Sequence, residues 1–380
     1  MKLARLASVA GVLFACGIGL DCAAAQQGAY KVGVSAGLSG YAATIDRAWR
    51  DGLEVGAAHF NSQGGVLGRK IEIIVEDNKS EPQEAVTVYR KMISSDKVDV
   101  FISGCVSAGN FAAAPIVVRA QIPMILCSIL PPQPDQVKWA YSMLPPPRFE
   151  TEARFAYLKN KTQIKKVGIL HDPSPYAILQ KNIAEKAVAN YGLELVGIEQ
   201  YKQDDADISA QISKLNAAGA GAILKIGIGG STVTAAKNVK QLGLTTLLMG
   251  GTDDLATQKP AGEALGPQFI FSAAPAQVFD VLPEGPLKAE LAKFVPLWRA
   301  KHGDRDSYWA GKGWDALSLA VTAIKKANAV DGEKLRDTVE TIAGFQGTGG
   351  VYNFSATVHQ GITENPFVIG TIEGGKLKVQ

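Results

Sequence analysis

Past residue 20 the sequence has no unbroken apolar run of about 18 residues, so nothing after the N-terminus has the length of a transmembrane helix. Cysteine is scarce: four in 380 residues, at positions 16, 22, 105 and 127. Histidine is equally scarce, and His59, His171, His302 and His359 lie far apart. No pair or cluster among them has metal-ligand spacing, so a zinc site is unsupported and no cofactor is expected. No Gly-x-Ser-x-Gly elbow occurs, and no nucleophile stands beside a recognisable base, which argues against an enzyme. The formal net charge is only +3 and no basic run occurs, which argues against nucleic-acid binding. The chain is 47% hydrophobic and 20% charged, a composition that builds ordinary globular cores. Its length suits two domains better than one.

The N-terminus reads as a secretory signal peptide. Lys2 and Arg5 precede the apolar stretch LASVAGVLFACGIGL (6–20), and Ala23-Ala24-Ala25 makes a small-residue cleavage site. Cleavage is expected after Ala25, giving a soluble exported protein. Phe14 ahead of Cys16 and Asp21 ahead of Cys22 fit a lipid-attachment box poorly, so no lipid anchor is expected. Cys105 and Cys127 each end an apolar, strand-like run. An oxidising compartment allows a disulfide, but register is not legible here, and two buried free thiols are the favoured reading.

Apolar strands and amphipathic helices then alternate. YKVGVSA, IEIIVED, VDVFISG and IPMILC (from 30 to 127) are separated by helical patterns over 45–60, 82–94 and 110–120. A second series has strands at 165–172, 193–201, 220–229 and 245–251, with helices at 176–191, 208–217 and 232–242. Strands this apolar are buried on both faces, as in parallel sheets covered by helices. Between the series, YSMLPPPRFE (141–150) reads as a stiff crossing. Helices are expected near 286–302, 313–327 and 332–343, and a hairpin at 362–380 turns at Glu373-Gly374-Gly375.

Two glycine loops could hold phosphate. In KIGIGGST (225–232) the third glycine of a dinucleotide fingerprint is replaced by Thr232. In NSQGGVLGRK (61–70) the spacing is wrong for a P-loop, and the loop runs from helix to strand, whereas an anion needs a helix N-terminus. Gly64 and Gly65 are expected to end a helix, and Gly68 to turn the chain into a strand. Asp253-Asp254 reads better as a loop and helix cap than as a metal or acid/base pair.

SAGLSG (35–40), the run from Gly52 to Glu72 with Asn61, Gly64, Gly65 and Gly68-Arg69-Lys70, the pair Glu76-Asp77, GCVSAGN (104–110) and FQGTGGVYNF (345–354) together resemble the periplasmic solute-binding proteins of ABC importers. The likeness is closest to the leucine/isoleucine/valine-binding type. It implies the type I α/β fold, two Rossmann-like lobes joined by three hinge crossovers and closing on a ligand. The implied division is 28–147 plus 275–354 for lobe 1, and 148–274 plus 355–380 for lobe 2. The implied partners are a small-molecule ligand and the membrane permease subunits, with the binding protein a monomer. A sensor, or an exported enzyme using Asp253 or Asp254 as base, are the other classes on this scaffold.

The resemblance also implies a site, in the loops after the strands. Ser39 and Tyr41 belong to the first loop. Ser107, with the N–H groups of Ala108 and Asn110, and Ser128 with Ile129 stand where relatives hold a carboxylate. Ser107 could instead be only a helix cap. Tyr176 matches an aromatic residue that packs on the ligand; a half-buried surface tyrosine is the alternative. Gly229 lies on the loop of 227–232. The glutamate that takes an ammonium in amino-acid binders falls at Thr252, with Asp253 one residue on. Arg148 at the first crossover would suit a carboxylate, or be a solvated hinge residue. A zwitterion needs a fixed negative partner, because an unpaired buried ammonium is costly. None is assured here, so the expected ligand is an organic monocarboxylate with an apolar body, an aromatic acid of benzoate or hydroxycinnamate type. A branched-chain or other hydrophobic amino acid, with Asp253 taking the ammonium, is the runner-up.

Overall fold

The computed structural model describes residues 28–380. The signal-peptide reading of residues 1–25 lies outside them. The first series is β1 (Tyr30–Ala36), α1 (Ala43–Ser62), β2 (Ile71–Asp77), α2 (Pro82–Lys91), β3 (Val100–Ser103), α3 (Ser107–Ala120), β4 (Met124–Leu126), α4 (Pro134–Val137) and β5 (Ala140–Ser142). The second is α5 (Arg148–Lys161), β6 (Lys166–His171), α6 (Pro175–Ala187), β7 (Glu194–Gln200), α7 (Ser209–Ala217), β8 (Ala222–Ile226), α8 (Ser231–Gln241), β9 (Leu247–Gly250), α9 (Leu255–Leu265) and β10 (Phe269–Ala273). Three helices follow, α10 (Pro286–His302), α11 (Tyr308–Ala327) and α12 (Gly332–Val339). A short hairpin, β11 (Phe345–Gly347) and β12 (Gly350–Tyr352), and a longer one, β13 (Val368–Glu373) and β14 (Lys376–Val379), end the chain.

The first sheet has the order β2-β1-β3-β4-β5 and is parallel throughout. The second has the order β14-β13-β10-β9-β8-β6-β7, parallel from β10 to β7, with β13 and β14 added antiparallel. Each sheet is covered on both faces, as its apolar strands require. In β3, Val100 and Ile102 face a core shared with α1 and α11, while Phe101 faces Tyr89, Met92 and Val117 on the other side. The second sheet splits likewise, with Ile223 in one core and Ala222 and Leu224 in the other. The chain crosses between the sheets at 143–147, at 274–285 and near 361–367. The fold is the two-lobed α/β architecture the sequence implies.

The second crossing returns α10–α12 to the first lobe, where α11 packs along α1. The two helices meet so closely that a Cβ on Gly52 would overlap the Ala310 carbonyl, and one on Gly313 would overlap the Trp49 carbonyl. The glycine loop at 64–68 is a turn. Gly64, Gly65 and Gly68 all have left-handed φ, and Val66 pairs with Arg69. It lies at the amino end of β2, away from the strand ends that form the cleft.

The structure differs from expectation in places. The crossing expected over 141–150 contains the end of β5, and α5 starts at once after the prolines. Helix α9 and strand β10 were not anticipated. Helix α11 begins at Tyr308 rather than 313. Cys105 and Cys127 form a disulfide, with Cα atoms 4.5 Å apart, so the free-thiol reading is wrong. The reason is register: Ser103 of β3 pairs with Leu126 of β4, which brings the residues just beyond the two strand ends together.

Candidate functional site

In a doubly wound sheet the crevice opens where strand order reverses, off the carboxyl ends of the strands. Here that point lies between β1 and β3 in one lobe and between β6 and β8 in the other. The loops leaving these strands face each other across a cleft holding about 590 Å³ of unfilled space, part of it open to solvent. The lobes touch at its mouth: a Cβ on Gly229 would come within 2.8 Å of the Tyr41 carbonyl oxygen.

One wall comes from the first lobe: Tyr41, Ile45, the Cys105–Cys127 disulfide, Ser107 and Ser128. Ser174, Tyr176, Ile228 and Thr252 form the opposite wall. The hinge segments supply Leu144, Pro145 and Phe367, and the first turns of α5 and α11 supply Glu150, Tyr308 and Trp309. The lining is thus largely apolar and aromatic with a few polar groups, the usual make-up of a small-molecule site.

Ser107 is the first residue of α3 and is 5% exposed. Its hydroxyl makes no hydrogen bond with another described residue, and α3 has no side-chain cap. The cap-only role for Ser107 is therefore not what is seen. The first N–H groups of any helix lack intrahelical partners and favour an anion. Asn110 does not line the cavity. Its amide nitrogen donates to the Gly104 carbonyl and to Ser128 Oγ, each at 2.9 Å, so it ties the two loops from behind. Ser128 Oγ in turn donates to the Ile129 carbonyl at 3.1 Å.

The acidic group of the site is Glu150, in the first turn of α5. It is 7% exposed and is the sole charged side chain in the lining among the described residues. Its Oε1 accepts from the Tyr176 hydroxyl at 2.9 Å, and its Oε2 accepts from the Thr252 N–H at 3.1 Å. Behind it, fully buried Arg154 sits 3.6 Å from Oε2 and donates to the Lys225 carbonyl at 3.3 Å. Burial lowers the Arg154 pKa, with Glu150 opposing. Burial, and then the Glu150 charge, push the Tyr176 phenol well above its usual value, so it stays a neutral donor. Burial raises the Tyr41 phenol to about 12. The Trp309 indole N–H and the Thr252 hydroxyl are buried and unpartnered among the described residues.

Of the expected site residues, Tyr41, Ser107, Ser128, Tyr176 and Thr252 are brought together around the cavity. The others are not. Ser39 Oγ donates to Asp77 at 2.7 Å. The side chains of Ala108 and Ile129 are not part of the cavity lining. Arg148 does not reach the cavity: it pairs with Glu152 at 2.8 Å, lies over Phe149 and is half exposed, because it sits on the outer side of the α5 N-terminus. Gly229 donates its N–H to Asp253 Oδ2 at 2.7 Å. Asp253 is therefore a loop brace, raised by burial to about 6 with buried Lys225 opposing, and it does not face a ligand as the runner-up reading required. Asp254 caps α9, accepting from Ala256 N at 2.7 Å, as the helix-cap reading has it. Sequence reasoning missed Glu150, Tyr308 and Trp309. The available signal for Glu150 was an acid in the first turn of a helix opened by prolines, which the helix dipole favours.

Comparison with known proteins accords with this geometry. The family model described as periplasmic binding protein matches residues 29–376. The chain is similar to the leucine-, isoleucine-, valine-, threonine- and alanine-binding protein of Pseudomonas aeruginosa, 24% identical over 342 residues, covering 87% of this chain and 89% of that protein. In structure it is similar to an ABC transporter solute-binding protein from R. palustris in complex with benzoate, with TM-score 0.78, 20% identity and coverage of 93% and 95%. It is similar too to a branched-chain amino acid transporter substrate-binding protein from Streptococcus pneumoniae in complex with isoleucine, with TM-score 0.77, 22% identity and coverage of 93% and 99%. With its two parallel-sheet lobes and interlobe cleft, the chain belongs to the periplasmic binding protein family, in its type I leucine/isoleucine/valine-binding branch.

Proposed function

We propose that this protein captures a small organic carboxylate between its lobes and presents it to a membrane permease of an ABC importer, acting as a monomer without catalysis. The observation that carries the reading is Ser107: a free hydroxyl at the uncapped N-terminus of α3, on the wall of a largely apolar and aromatic cavity. A carboxylate seated there accepts from the hydroxyl and from first-turn N–H groups. Among the described residues no cation lines the cavity, which leaves these neutral donors to hold it.

The body of the ligand in this reading is aromatic, of benzoate type, among Tyr41, Tyr176, Tyr308, Trp309 and Phe367. Glu150 does not oppose it strongly, because Tyr176, the Thr252 N–H and Arg154 already meet its charge. One observation favours the second reading, a hydrophobic amino acid: Glu150 lines the cavity and could receive an ammonium where Asp253 cannot. A solved neighbour of each kind exists, one with benzoate and one with isoleucine. A thermal-shift screen of benzoate, 4-hydroxybenzoate, L-isoleucine and L-leucine separates the two through binding linkage. Stabilisation by the aromatic acids, retained in Glu150→Gln, supports the first reading. Stabilisation by the amino acids alone, lost in Glu150→Gln, replaces it with the second. The proposed export predicts a mature N-terminus at Gln26, which intact-mass spectrometry of periplasmic protein checks.

A further inference from the structure

We propose that the Cys105–Cys127 disulfide is a positioning element of the binding site, holding the two carboxylate-binding loops in register and lying beneath the bound ligand. The inference rests on the reading of the cleft as a carboxylate site. Both cysteines line the cavity rather than the outer surface of the lobe. Cys105 stands two residues before Ser107, and Cys127 immediately precedes Ser128, so the bond joins the two loops next to their ligand-facing groups. The same loops are held by neighbouring hydrogen bonds. Asn110 bridges Gly104 and Ser128, and the buried carboxylate of Asp46 accepts from Cys105 N at 2.7 Å and Gly37 N at 2.6 Å. The disulfide thus completes a braced frame whose open side is the cavity. Holding loops in the bound conformation lowers the ordering cost of binding. The sulfurs also give the apolar body of the ligand a polarisable surface.

A ligand on this surface blocks reductants. Cys105 is 8% exposed and Cys127 1%, and a thiolate must reach a sulfur directly to open the bond. With dithiothreitol, two electrons and two protons pass to Cys105 and Cys127 as thiols, while the reagent closes to its cyclic disulfide. The test uses the mature protein with benzoate or L-isoleucine, whichever stabilises the wild type. The expected result is binding at least about tenfold weaker in C105A/C127A, with cooperative melting retained, since preorganisation is lost. In the wild type, that ligand at about 100 times its Kd should slow thiol release about 100-fold, as only the ligand-free fraction reacts. Unchanged affinity in a folded double variant overturns the proposal, and so does thiol release at the same rate with and without ligand. If the variant does not fold, the thiol-release arm decides alone. If neither probe stabilises the wild type, the carboxylate reading falls and takes this inference with it. A stabilised wild type with an unaffected variant overturns the disulfide's role only.

Discussion

Ser107 lines the cavity and Arg148 lies outside it, and the two have distinct expected effects. Ser107→Ala removes one hydrogen bond to a charged group, so carboxylate affinity should fall about tenfold, or about 1.5 kcal/mol. The melting temperature of the free protein should barely move, since the hydroxyl bonds no described residue. Arg148→Ala should leave affinity within about 0.5 kcal/mol of wild type, because an exposed ion pair contributes little and the side chain is outside the cavity. Calorimetric titration of both variants checks the contrast; a large loss on Arg148→Ala would return the residue to the site. The residues legible in the sequence, Tyr41, Ser107, Ser128, Tyr176 and Thr252, all sit on loops that follow strands or in the first turn of the helices those loops open, where the sheet rule places a site. Glu150, Tyr308 and Trp309 sit at helix starts beside the hinge. Their position over the cleft is set by how the chain crosses between lobes, and no local periodicity reports that. Arg148 and Glu150 are two residues apart on one helical turn, so they face different sides, and only the start of α5 decides which looks inward.

At the scale of elements, strands and helices with strong apolar patterns matched the structure within a few residues. Those that escaped have physical reasons. Strand β5 is three residues long, and α9 carries Pro260 inside the helix. Helix α11 hides its start behind Gly311 and Gly313, residues that weaken helix propensity but allow close packing. The disulfide was illegible because pairing depends on the β3–β4 register. The α1–α11 crossing gives a direct test of packing. Gly52→Ala places a methyl against the Ala310 carbonyl, backbone that cannot rotate aside. It should cost about 3 kcal/mol, the upper end of overpacking penalties, read from denaturant unfolding. A cost below about 0.5 kcal/mol would mean the helices separate freely.

At the scale of the whole molecule, buried carboxyls shape the pH response. Burial raises Asp46, Asp253 and Asp315 to about 6, and Asp254 to about 7, with Asp306 adding to the last. A carboxyl whose folded pKa is raised binds protons more readily folded than unfolded. Its penalty therefore fades as pH falls from about 7 towards the unfolded value near 4. His302, lowered by burial, works the other way, and Lys225 and Lys312, at about 8, act mainly above that pH. The melting temperature at pH of about 5.5 should equal or exceed that at about 7.5. A fall of several degrees would show that the buried carboxyls do not control this range.

The proposed function has a carboxylate held at the α3 N-terminus between two closing lobes. Calorimetric titration of the mature protein with benzoate, benzamide and L-isoleucine tests it most directly. Benzoate should bind saturably, one molecule per chain; benzamide, which lacks the charge, should bind at least about tenfold more weakly, and Ser107→Ala should weaken benzoate binding. Benzamide binding as tightly as benzoate, or no binding of either benzoate or L-isoleucine, would contradict it.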